Sequence, residues 1–180
     1  MTRKRPPGLV MRLRATRALG PAGRGRLHVG GLVLPCALGP AGVTRMKREG
    51  DGATPAGRFR LMRALWREDR ARRPRAGLAL APIRRDDLWC DDPREALYNR
   101  PARAPFKGGA ERMARADRLY DVVVILDHNQ RPRVRGLGSA IFFHVAREGF
   151  APTQGCVAIA PDAMRRLLPR LARGATITVD

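Results

Sequence analysis

Four short apolar runs in the last third of the chain constrain its fold more than any other feature. They are Asp121–Leu126 (DVVVIL), Ser139–Val145 (SAIFFHV), Gly155–Ile159 (GCVAI) and Ala175–Val179 (ATITV). Each is rich in β-branched or aromatic residues and shorter than a stable helix, and the last alternates strictly, so all four read as strands. One amphipathic helix is expected between the last two. Pro161 suits its first turn and Asp162 its N-terminal dipole; Met164, Leu167, Leu168 and Leu171 form an apolar stripe, and Arg170, Arg173 and Gly174 mark its end. Upstream, Leu27–Val33 reads as strand–turn–strand about Gly30-Gly31, Pro35–Gly42 as loop, and Gly50–Gly57 as turns leading into a strand at Arg58–Leu61. Leu65–Arg75 is dense in arginine and reads as a solvated loop or weak helix. Asp86–Arg103, with two prolines and no clean period, reads as an ordered loop. The expectation is a basic N-terminal tail over residues 1–24, followed by one mainly β domain over 25–180 with one or two helices.

At 180 residues the chain is long enough to bury a core without metals or a disulfide framework. No apolar run reaches the ~18 residues that a membrane-spanning helix needs. Lys+Arg number 36 against 16 Asp+Glu, a net charge of +20. Only Lys4, Lys47 and Lys107 are lysines, so arginine carries nearly all of that charge. An arginine bias accompanied by many Ala, Gly and Pro reads as genomic composition rather than as a binding signal. The field still attracts polyanions, although aromatics, at 5%, are sparse for base-stacking platforms, which disfavours nucleic acid.

Only three histidines and three cysteines are available for chemistry, at positions 28, 128, 144 and 36, 90, 156. None has the short spacing of a zinc site, and phosphate-loop, dinucleotide-binding and serine-elbow motifs are absent, so no metal or cofactor is implied. His144 ends one apolar strand, and Cys156, preceded by Gly155, begins the next after eleven residues. Antiparallel neighbours joined by such a loop would bring imidazole to thiol, giving a thiolate that attacks a carbonyl. The amides of Gly155 and Cys156 are candidate oxyanion donors. No carboxylate pattern points to His144, so a backbone carbonyl such as that of Val145 is a candidate orienting acceptor.

Thr153-Gln154-Gly155-Cys156-Val157, following His144, resembles the Ser/Thr-x-Gly-Cys-Ile/Val motif of the bacterial L,D-transpeptidase catalytic domain, also called YkuD. Thr54-Pro55-Ala56-Gly57-Arg58-Phe59 is similar to that family's Thr-Pro-x-Gly-x-Phe segment. Trp89-Cys90-Asp91-Asp92, Tyr98-Asn99 and Tyr120-Asp121 resemble segments of one of its groups. The resemblance covers residues 27 to 180 and implies a compact β-sandwich or barrel domain acting on peptidoglycan stem peptides through a cysteine acyl-enzyme. Cys156 would be nucleophile, His144 base, the Val145 carbonyl the orienter and Gly155–Cys156 the oxyanion site. The fate of the acyl group (cross-link, water, protein or D-amino acid) stays open. The family usually carries arginine two residues after the cysteine, where this chain has Ala158. Arg147 and Arg165 are candidates to replace it, and Thr153, Gln154 and Arg147 are candidate substrate-binding residues.

The resemblance also implies the periplasm or cell envelope. The N-terminal segment, however, lacks the ~7–15 apolar residues of a secretory core, so a cytoplasmic location stays open. A rival reading is a non-catalytic, arginine-rich binding protein for nucleic acid or an anionic wall polymer. Cys36 and Cys90 are either a bridge formed in an oxidising compartment or two free thiols.

Overall fold

The computed structural model describes residues 8–180. Fourteen strands and one α-helix follow in chain order. The first five are β1 (Val10–Arg17), β2 (Arg24–Val29), β3 (Leu32–Ala37), β4 (Val43–Thr44) and β5 (Thr54–Pro55). Then come β6 (Gly57–Arg67), β7 (Leu80–Ile83), β8 (Asp87–Cys90), β9 (Arg100–Arg103) and β10 (Ala110–Arg112). The chain closes with β11 (Val122–Leu126), β12 (Phe142–Val145), β13 (Val157–Ile159), helix α1 (Pro161–Leu167) and β14 (Leu171–Val179).

The main sheet runs β11-β12-β13-β3-β2-β1-β14-β6-β7, and β6 pairs with β11 as well. That extra pairing joins the ends of the row, so eight strands form a closed ring with β7 outside it. Closure leaves those eight strands without a free edge. The mainly β expectation is met. Leu13, Leu27, Phe59, Leu61, Val124, Phe143, Val157, Ile159 and Ile177 fill the interior, and α1 adds Met164 and Leu167. The β2–β3 hairpin turns at Gly30-Gly31, both with positive φ (51° and 85°), as a two-residue hairpin with matching twist requires.

Five expectations are corrected. Residues 10–17 are not tail: β1 lies between β2 and β14, with Val10, Leu13 and Ala15 inward and Arg12 and Arg14 outward. The outward arginines disguise the alternation over Arg12–Ala15, and an irregularity between Val10 and Arg12 breaks the period upstream; Met1–Pro7 lie outside the described residues. The helix stops at Leu167, because Pro169 lacks the N–H to continue it and a 3-10 turn at Leu168–Arg170 follows. Arg173 and Gly174 therefore sit within β14 rather than at a helix end. Asp86–Arg103 holds β8 and β9 of a small antiparallel sheet ordered β10-β8-β9, whose three- and four-residue strands are too short to show a period. The arginine-dense stretch begins as the end of β6, and the stretch read as loop from Pro35 begins as the end of β3.

All three cysteines are free. Cys36 lies in the barrel interior, where burial pushes its thiol up to about 12. Cys90 packs with Leu88 and Ala102 under the small sheet.

Candidate active site

β12 alternates between two environments. Phe143 and Val145 face the barrel interior, while Phe142 belongs to a second core shared with Trp89, Met113, Tyr120, Val123 and Cys156. His144, two residues from Phe142, lies on that second side. β13 repeats the pattern: Val157 and Ile159 face inward, so Ala158 and, two residues earlier, Cys156 face outward. The strands are parallel, not antiparallel as the sequence reading expected, and His144 pairs with Ala158 across the ladder. The eleven-residue link, which makes a 3-10 turn at Glu148–Phe150, is long enough to return the chain to the start of the next strand. His144 and Cys156 thus share one face, one strand apart, in spite of the different pairing.

Both line one cavity of about 690 Å³, together with Glu49, Asp91, Glu111, Arg115, Leu119, Tyr120, Ser139, Ala140, Arg147, Thr153, Gln154 and Ala158. His144 is 4% exposed and Cys156 6%. His144 Nδ1 lies 2.8 Å from the Val145 carbonyl oxygen. A carbonyl only accepts, so Nδ1 carries the proton and Nε2 keeps its lone pair. Burial pushes His144 down to about 4 and Cys156 up to about 12, so at neutral pH the two are imidazole and thiol rather than an ion pair. Cys156 Sγ donates to the Ala140 carbonyl at 3.2 Å and accepts from the Phe142 N–H at 3.3 Å. His144 is not among its hydrogen-bond partners, so the sulfur must turn from Ala140 to engage the imidazole.

Gly155 has φ +118°, and a Cβ there would lie 2.7 Å from the Ala53 carbonyl oxygen. Conformation and crowding against the protein's own backbone therefore both demand glycine at this position. The Gly155 N–H donates to Thr153 Oγ1 at 3.2 Å, and that hydroxyl donates to the Cys156 carbonyl at 2.8 Å. Thr153 N–H in turn donates to Leu38 O at 2.9 Å, so Thr153 shapes the turn into β13. We expect Gly155→Ala to cost roughly 1–3 kcal/mol through strain at positive φ alone. The drop in Tm, together with loss of Cys156 acylation, would measure it. An unchanged Tm would show that the turn relaxes freely.

Several residues at the site are given no chemical role by the sequence, although Tyr120 belongs to one of the segments that resemble the family. Tyr120 sets its ring edge-on to both His144 (5.3 Å) and Phe142 (5.7 Å), and its hydroxyl donates to Glu111 at 2.8 Å. Arg115 donates to Glu111 and Asp117 and lies 5.2 Å over the Tyr120 ring. Burial raises Glu111 above the ordinary carboxylate range. The i,i+4 spacing of Glu111 and Arg115 was the available clue, but it reads equally well as a surface pair.

The sequence pattern of the YkuD L,D-transpeptidase catalytic domain matches residues 24–179, most of the chain. The protein belongs to this L,D-transpeptidase family. Among solved structures it is similar to Mycobacterium tuberculosis L,D-transpeptidase 1, at 15% identity and a TM-score of 0.37. That alignment covers 93% of this chain and 60% of the mycobacterial one, so this chain spans about three fifths of that protein's length. No curated protein matches it.

Ala158, where the resemblance implies arginine, is fully buried and packs with Ala37, Ala146 and Phe150. Of the two candidates to replace the absent arginine, Arg165 is ruled out as a cavity residue. It lies on α1, is exposed and pairs with Asp162. Arg147 is exposed at the cavity rim, and Arg115, which the sequence reading missed, lines the same cavity.

Proposed function

We propose that this protein is a cysteine acyltransferase that works on peptidoglycan stem peptides by L,D-transpeptidation. The observation that carries the reading is the pairing of Cys156 and His144 on one sheet face beside one cavity, with Nδ1 held by the Val145 carbonyl and Nε2 left unprotonated.

In this reading the stem peptide enters the cavity with the carbonyl of its third residue next to Cys156. Thr153 and Gln154 line its path, and Arg147 stands at the rim. His144 Nε2 takes the thiol proton as sulfur attacks, and the tetrahedral oxyanion forms against the turn. Because Thr153 engages the Gly155 N–H, the oxyanion task falls chiefly to the Cys156 amide. The intermediate collapses, imidazolium returns the proton to the departing amine, and D-alanine leaves a thioester on Cys156. An amine acceptor then completes transpeptidation; water in its place would make the same enzyme an L,D-carboxypeptidase. Such a substrate puts the reaction in the periplasm or cell envelope. No helix among the described residues is long and apolar enough to cross a membrane.

The test is mass spectrometry after incubation with a carbapenem, whose strained lactam acylates an activated cysteine. We expect one covalent adduct, mapped to Cys156, with Cys36 and Cys90 unmodified. An unmodified Cys156 would remove the acyl-enzyme. The rival reading, an arginine-rich polyanion binder, predicts salt-dependent binding that survives loss of Cys156 and no adduct at all.

A further inference from the structure

The Trp89-Cys90-Asp91-Asp92 and Tyr98-Asn99 segments take no part in the reaction just described, yet they reach its nucleophile. Asn99 is 1% exposed and has φ 54°. Its Oδ1 accepts from Trp89 Nε1 at 3.0 Å and from the Ala140 N–H at 3.2 Å. Its Nδ2 donates to the carbonyls of His128 (3.1 Å) and Asn129 (3.0 Å). Two N–H groups on one side and two carbonyls on the other leave only one orientation for the amide.

Ala140 is the residue so held. Its φ is 51°, a left-handed conformation that costs an alanine energy and needs support from outside. Its carbonyl is the one that accepts the Cys156 thiol proton. The Phe142 amide, two residues on, donates to the same sulfur, and the Phe142 ring lies edge-on to Trp89 at 5.1 Å. The small sheet and the 128–129 segment therefore meet at Asn99, beside the two backbone groups that touch Sγ.

We propose that Asn99 is a positioning residue for the nucleophile: by holding the Ala140 amide it fixes the Ala140 carbonyl against the Cys156 thiol and so sets where the thiol proton points before reaction. This rests on the reading of Cys156 as nucleophile. A thiol donating to a fixed carbonyl is favoured over its thiolate, so the latch keeps Cys156 protonated until substrate displaces the sulfur toward His144. Asn99 touches no reacting atom itself.

The test follows iodoacetamide alkylation of Cys156 in the full chain from pH 8 to 12, the range into which burial raises this thiol, resolved by peptide mass spectrometry. Glu111, Lys47 and Arg115 act on the sulfur through their charges, and Tyr120 and His144 line its cavity; all are left intact in every variant. Asn99→Ala is expected to lower the alkylation midpoint by about one pH unit, because the acceptor that favours the thiol is released. Turnover should fall at the same time. Asn99→Asp keeps an acceptor for Ala140 and Trp89 but exchanges the two Nδ2 donations for a carboxylate oxygen whose charge also disfavours the thiolate, so its midpoint should rise. A purely structural role would raise alkylation evenly at every pH and leave the midpoint in place. An unmoved midpoint in Asn99→Ala, or an equal drop in Asn99→Asp, overturns the proposal.

If Asn99→Ala does not fold, Trp89→Phe keeps the ring against Phe142 and removes only one donor to Oδ1. A smaller shift in the same direction supports the latch, and no shift overturns it. Alkylation needs no peptidoglycan substrate. Failure of stem-peptide turnover in the unaltered protein therefore bears on the proposed function, while the alkylation midpoint reports on Asn99 alone.

Discussion

Cys156→Ser is expected to lower turnover of stem-peptide substrates by at least about a thousandfold while leaving the fold intact. Serine is close to cysteine in shape, and the Ala140 carbonyl and Phe142 amide that serve the sulfur can serve a hydroxyl as well. Stability should change little. Chemistry should collapse, because a hydroxyl is far harder to deprotonate than a thiol and His144, held near 4, is too weak a base to compensate. Binding should persist, so the loss should appear in kcat with KM nearly unchanged. Product analysis by liquid chromatography reads this directly. Wild-type turnover in Cys156→Ser would place the nucleophile elsewhere, and neither Cys36 in the barrel interior nor Cys90 beneath the small sheet lies in this cavity.

His144→Gln is expected to cost roughly a hundred- to ten-thousandfold in turnover, the usual worth of a positioned general base. It also carries a stability signature of definite sign. Burial holds the folded imidazole at about 4, below its ordinary value near 6.5. Between those two values the unfolded chain binds a proton that the folded chain refuses. Stability is therefore fully present above about pH 6.5 and falls as pH drops through that window, by roughly 3 kcal/mol at its lower end. Glutamine has no such proton to refuse, so the variant's Tm should decline less between pH 6.5 and 4 than that of the unaltered protein. Parallel Tm profiles would show that His144 is not held neutral in the folded state. Cys156 contributes the opposite slope on the alkaline side. Its raised value means that stability is present below the ordinary thiol range and is lost as pH rises toward about 12.

The reading of the sequence went furthest where side chains reveal the backbone directly. β11, β12, β13 and the end of β14 were legible because β-branched runs bounded by turn residues admit few alternatives. Gly30-Gly31 was legible because a two-residue hairpin needs positive φ twice. His144, Cys156 and Gly155 stood out through residue type and spacing, and the resemblance to L,D-transpeptidases rested on the same residues. Where outward side chains are arginine, as on β1, the alternation is present but reads as a charged tail. Pairing direction was not legible: an eleven-residue link fits either orientation, and only the ring as a whole selects the parallel one. Nor were Asn99 and Ala140, because neither residue type signals chemistry and their importance lies in backbone groups that carry no letter in the sequence.

The closed ring changes what counts as a unit of this molecule. β1 is hydrogen-bonded to β2 on one side and to the final strand on the other, so the two ends of the described chain are stitched side by side. Similarity to the family begins only at residue 24, beyond β1. A boundary drawn by similarity would therefore cut through a circle rather than trim an appendage. It would bare two strand edges, on β2 and β14, that any extended chain can dock against. The residues with the weakest family signature are, mechanically, the keystone of the fold.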